Sequence, residues 1–174
     1  MPDPGFHARF TATGRSYRYV LYNHPVRPAL AAPYVGWFHL PLDAARMQAA
    51  AALLVGRHDF SAFRAAECQA KTPVRTLSRA SLVQHGPYLV FEFTADAFLH
   101  HMVRNVVGAL VYVGKGRYPP DWIAELLASR DRARGAPTFA AQGLYLAAVH
   151  YPPEWTFPPF APMMPFLGLA EHRA

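Results

Sequence analysis

Apolar and polar positions alternate along "RSYRYVLYN", Arg15 to Asn23, as in a β-strand, with Tyr17, Tyr19 and Leu21 on one side and Arg18, Val20 and Tyr22 on the other. The prolines of "HPVRPALAAP" exclude regular structure, and that stretch reads as a loop. The spacing then turns helical: Asp43 suits an N-cap for "AARMQAAAALLV" and Gly56 suits its stop. Arg75 to Val83 and Tyr88 to Thr94 return to strand-like alternation, joined by "QHGP" into a hairpin. A long apolar run from Phe98 to Gly114 predicts a second helix. "PPDWIAELLAS" predicts a short third one with Asp121 in its first turn. Leu144 to Tyr151, "LYLAAVHY", predicts a last strand.

Strand, helix, strand, strand, helix, helix, strand is the βαββαβ order of the ferredoxin-like split sandwich, with one extra helix before the final strand. The expected class is α+β: an antiparallel sheet with helices on one face and the opposite face free to meet a ligand or another domain. This domain is expected to span residues 1–151. Residues 152–174, "PPEWTFPPFAPMMPFLGLAEHRA", are too rich in proline for a helix or central strand and predict an extended arm, packed through Trp155, Phe157, Phe160 and Phe166.

The length of 174 residues suits one domain with an arm. The formal charge of +6 comes almost wholly from arginine, since Lys71 and Lys115 are the only lysines. Guanidinium groups bind phosphate in a forked manner that ammonium cannot match, so the chain leans toward a nucleic-acid partner. Arg64, Lys71, Arg75 and Arg79 are candidates for phosphate contacts; an ordinary solvated face is the alternative for each. Cys68 is the sole cysteine, which excludes an intrachain disulfide and fits a reducing compartment. No start resembles a signal peptide and no apolar run is long enough for a bilayer, so the expectation is a soluble, cytosolic protein without a membrane partner.

The second predicted helix carries the chemistry. At helical spacing His101, Arg104, Asn105, Gly108, Tyr112 and Lys115 form one narrow polar stripe, while apolar residues fill the remaining circumference. An arginine so placed needs an anion, because a buried unpaired charge costs several kcal/mol, on the order of 3–5. An internal pair with Asp96 or Glu92, or a solvent-facing edge, would meet that need as well as a ligand would. A metal site does not fit: His100 and His101 are adjacent and point about 100° apart, no His-x-x-x-His pair is present in this segment, and Cys68 has no partner. His7, His24, His39 and His85 read as surface or turn residues.

Five segments, "FHARFTATGRSYRYVLYN", "GRHDFSAF", "KTPVRTL", "DAFLHHMVRNVVGALVYVGKG" and "AAQGLYLAAVHYP", resemble in order and spacing the C-terminal half of the bacterial tRNA pseudouridine synthase A family, over about Phe6 to Pro152. The resemblance implies a cofactor-free isomerase that converts uridines on the 3′ side of the tRNA anticodon stem-loop. Its nucleophile is an aspartate, and the family works as a homodimer whose subunits each join two sandwich halves around a basic cleft. By motif, Tyr17 of "YRY" resembles the tyrosine that packs on the target uracil, Arg104 of "MVRN" the arginine that pairs with the nucleophilic carboxylate, and Leu144 of "GLYL" an apolar wall beside the base. His101 and Asn105, on the stripe of Arg104, are expected to face the substrate with it. Tyr17 and Leu144 also fit as plain core strand residues.

The family's nucleophile lies in an Arg-Thr-Asp-Ala-Gly-like motif of the N-terminal half, and none of Asp3, Asp43, Asp59, Asp96, Asp121 and Asp131 stands in that context. The expectation is therefore a C-terminal portion whose partner is the N-terminal half of the same enzyme, inactive when alone. The competing readings are a non-catalytic RNA-binding or dimerisation module on this fold, and a small-molecule enzyme on the same scaffold.

Overall fold

The computed structural model, which describes residues 5–155 and residue 157, is organised about one long strand. In chain order the elements are β1 (Gly14–Asn23), β2 (Gly36–Phe38), α1 (Ala44–Ala52), β3 (Gly56–Asp59), β4 (Val74–His85), β5 (Tyr88–Ala95), α2 (Met102–Gly114), α3 (Trp122–Ser129) and β6 (Leu144–His150). Strand β1 pairs antiparallel with β5 along one side. Its other side is shared: β6 pairs antiparallel with Gly14 to Tyr19, and β2 pairs parallel with Leu21 to Asn23. Strand β4 follows β5 in a hairpin, and β3 covers the start of β4. The core order β6-β1-β5-β4 is that of the ferredoxin-like α+β sandwich.

The period-2 alternation of β1 decides which side chains meet the helices. Tyr19 and Leu21, with Leu89, Phe91 and Phe93 of β5, form a wholly buried layer. Met47 and Ala50 of α1, Val106 and Leu110 of α2 and Ile123 of α3 cover it. The opposite face carries Arg18 and Arg79 paired with Glu92, beside a cross-strand row of Val20, Val90 and Val83. It also carries Ser16, whose hydroxyl lies 2.8 Å from both Thr94 Oγ1 and His150 Nε2. Asp43 caps α1 by accepting from the Arg46 N–H at 3.0 Å. Gly143, at φ +95°, threads the seam between β1 and β2, where any Cβ would strike the Val20 carbonyl and the Gly36 nitrogen.

Three points depart from the expectations above. Strands β2 and β3 span three and four residues, too short to show an alternating pattern, and the parallel pairing of β2 makes the sheet mixed instead of wholly antiparallel. Helix α2 begins at Met102, not Phe98. Residues 98–101 are instead tied to the loop between β3 and β4: the His100 N–H donates to Cys68 Sγ at 3.3 Å, the His100 carbonyl accepts from Ala65, and His101 takes a left-handed φ of 59°. Of the expected arm, residues 152–155 and Phe157 are described. Phe6 lies 5.3 Å from the Trp155 ring and 5.5 Å from that of Phe157. Phe160, Phe166 and the rest of that segment lie outside the described residues.

Candidate active site

A register shift between Ser16 and Tyr17 prepares the site. Ser16 faces Ala148 of β6 while Tyr17 faces Leu146, so β6 carries one extra residue at this point. Such bulges twist a strand and re-aim its side chains. Beside the shift, Tyr17 meets Phe98 edge-on, ring centroids 5.0 Å apart and planes at 81°. Leu144 starts β6 opposite Tyr19. Arg104 sits in the first turn of α2, whose N-terminal, positive end opens at the same place with no side-chain cap. Tyr17, Phe98, His100, His101, Arg104 and Leu144 thus line one cavity of about 320 Å³.

The Arg104 side chain is half-buried and held from one direction only. Its Nε donates to the Phe139 carbonyl at 2.8 Å, and the Phe139 N–H donates back to the Arg104 carbonyl at 3.2 Å. Among the described residues no carboxylate lies within ion-pair distance of its guanidinium. Glu92 is spent on the far face of the sheet, and Asp96 Oδ1 accepts from the N–H groups of Thr76 and Ala97. Both internal partners considered from the sequence are therefore engaged elsewhere. The positive charge reaches its neighbours: burial pushes the Tyr19 phenol well up, with Arg104 working against that rise, and the phenol donates to the Ala140 carbonyl at 2.8 Å.

Burial holds the His101 imidazole below its ordinary range, with His100 and Arg104 adding to the depression and Glu67 opposing it. The unfolded chain therefore takes up this proton at a higher pH than the folded chain does. Its contribution to stability is complete above the ordinary imidazole value of about 6.5 and falls away as pH drops through that value. Asparagine tolerates the left-handed backbone here, so His101→Asn is expected to flatten the acid slope of thermal melts between about pH 5 and 7. An unaltered slope would assign the slope to other groups.

A sequence profile of the tRNA pseudouridine synthase family matches residues 50–152. The chain belongs to that family. The tRNA pseudouridine synthase A of Thiobacillus denitrificans is 58% identical over 164 residues, which cover 94% of this chain and 63% of the relative. That of Aromatoleum aromaticum is 62% identical over 154 residues, covering 88% and 58%. The chain thus spans less than two thirds of the length of these curated relatives.

In this chain Tyr17, Arg104, Leu144 and His101 share the cavity, whereas Asn105 does not line it. Asn105 is 2% exposed and turned under the loop that precedes β6. Its Nδ2 donates to the Phe63 carbonyl at 2.8 Å, and its Oδ1 accepts from Thr138 at 2.7 Å and from Arg132 at 3.1 Å. One turn on, Gly108 leaves space for the same loop, since a Cβ there would collide with the Pro137 carbonyl oxygen. Asn105 and Gly108 of the stripe therefore seat residues 135–139, and that loop in turn holds Arg104.

Of the four expected phosphate contacts, Arg64, Lys71 and Arg75 gather about the 68–72 loop, and Arg79 stands apart. Arg79 is on the far sheet face with Glu92. Arg64 donates to the Cys68 and Ala70 carbonyls at 2.6 and 3.0 Å, and so braces its own loop. Lys71 is exposed beside them, and Arg75 lines a second cavity. Phe98, Thr138 and Arg132 were not singled out from the sequence. A phenylalanine next to an alanine-rich turn, and a threonine in a loop, carry no local signal of what they meet across the fold. Among the described residues no three His, Cys, Asp or Glu side chains group as a metal site, and no helix is long and apolar enough to cross a membrane.

Proposed function

We propose that this chain supplies one side of an active site that isomerises uridine to pseudouridine in the anticodon stem-loop of tRNA. The observation that carries the reading is Arg104: a half-buried guanidinium on the wall of a cavity, with no carboxylate partner among the described residues, in a chain of this family. In this reading a nucleophilic aspartate from the N-terminal half meets Arg104, which keeps it ionised and oriented. The carboxylate attacks the nucleoside and the glycosidic bond breaks. The freed uracil anion turns, its C5 bonds to the ribose as the carboxylate is displaced, the C5 proton leaves to solvent and N1 takes up a proton. Tyr17 packs on the uracil and assists movement of that proton, Leu144 excludes water, and His101 faces the substrate. Asn105 acts through the loop it anchors. The target base must leave its stack to enter. The working assembly in this reading is a cytoplasmic homodimer that includes the N-terminal half, with no cofactor.

Among the described residues no carboxylate lines the cavity, which favours a second reading, a non-catalytic RNA-binding module on the same fold. One assay separates them: tritium release from tRNA labelled at uridine C5. The chain alone should release none, and adding a separately expressed N-terminal half should start release. Turnover by the chain alone would place a nucleophile within it and overturn the division of labour. Salt-dependent tRNA binding that never leads to release with the half present would favour the module.

A further inference from the structure

We propose that a second cavity, walled by Arg9, Arg15 and Arg75, is a nucleotide subsite that holds the phosphodiester and base adjoining the target uridine. The proposal rests on the uridine reading of the first cavity, which it extends along the RNA strand. The two cavities share Tyr17 and Phe98 as a common wall, so a strand whose uridine occupies one passes directly into the other. The second encloses about 530 Å³, inside the range of roughly 300–1,000 Å³ typical of ligand sites.

Its charge is uncompensated. Arg15 donates to the carbonyls of Arg9 at 2.9 Å and Asp96 at 3.1 Å, and Arg75 to those of Thr72 and Val74 at 2.9 and 2.6 Å. The Arg75 Nε is shut off from solvent without a hydrogen-bond partner. Among the described residues none of the three arginines has a carboxylate within ion-pair distance. Asp96, close by, commits Oδ1 to backbone N–H groups. Three guanidinium groups around one cavity repel each other, and a bridging anion relieves that repulsion. Arg9 and Arg15 precede and open β1, so the strand that presents Tyr17 also presents the charge.

Phe10 makes the anion a nucleotide. It lines the same cavity yet is 78% exposed, with the ring of His7 at 4.3 Å and the Arg9 guanidinium 5.8 Å from its ring centre. An open aromatic face next to a basic cavity is the arrangement on which single-stranded bases stack. A bare phosphate site would have no use for it.

The test measures binding of this chain at low salt to four probes: uridine 5′-monophosphate, an RNA trinucleotide with a central uridine, the same trinucleotide with an abasic centre, and inorganic pyrophosphate. The uridine trinucleotide should bind at least tenfold tighter than the mononucleotide. Phe10→Ala should remove about tenfold of that gain, and Arg9→Gln should lower the slope of log K against log salt by about 0.7, leaving mononucleotide binding unchanged. Both side chains are exposed, so melting curves should match the parent. Trinucleotide affinity that ignores both substitutions, or pyrophosphate binding as tight as the trinucleotide, overturns the subsite. Phe10-dependent binding with no preference for uridine over the abasic centre supports the subsite and instead sinks the uridine reading of the first cavity.

Discussion

Arg104→Ala is expected to lower pseudouridine formation by on the order of 10²–10³-fold, measured as tritium release with the N-terminal half supplied, while this chain stays folded. The loss should fall on kcat, because in the proposed mechanism the guanidinium acts on the attacking carboxylate and not on the body of the tRNA. Stability should change by about 1 kcal/mol, the worth of the hydrogen bond to the Phe139 carbonyl. Arg104→Lys retains a charge but loses both the Nε donor and the planar fork, so it should recover little of the activity. A loss confined to tRNA affinity, with kcat intact, would make Arg104 a phosphate contact and remove the nucleophile's partner from this helix.

Asn105→Ala should produce the largest stability loss among substitutions near the cavity, about 2–4 kcal/mol by chemical denaturation. Three hydrogen bonds end at this amide, and its removal leaves the Phe63 carbonyl, the Thr138 hydroxyl and the Arg132 guanidinium short of a partner. Burial already disfavours the charge on Arg132, which makes the Oδ1 acceptor more valuable. Asn105→Asp keeps that oxygen beside Arg132 but buries a charge and sets a second acceptor against the Phe63 carbonyl, so it should destabilise as well. Activity should fall with Asn105→Ala even below the melting transition, since the loop that loosens is the one that grips Arg104. Equal activity per folded molecule would uncouple the loop from the arginine.

Much of the architecture was legible because hydrophobic period is local. The alternation of Tyr17, Tyr19 and Leu21 marks β1, Asp43 marks the start of α1, and the strand–helix order implies the split sandwich. The start of α2 was not legible. The apolar run continues through Phe98 and Leu99, whereas the chain there is bent by a bond from His100 to Cys68, more than thirty residues away in sequence. Of the stripe residues expected to meet the substrate, Arg104 and His101 line the cavity and Asn105 does not. Helical spacing tells that Arg104 and Asn105 are neighbours, but not that a later loop covers one and leaves the other at the cavity. Arg9 and Phe10 sit in a segment without periodicity, so only the folded chain reveals the cavity they share with Arg75.

The reciprocal bonds between Arg104 and Phe139 join a rigid helix to a largely exposed connector. Connectors of this kind open at lower free energy than the sheet and helices they bridge. If Arg104 acts as proposed, warming should silence the reconstituted chemistry while the sandwich is still intact, with the limit set by a few residues before β6 and not by the core.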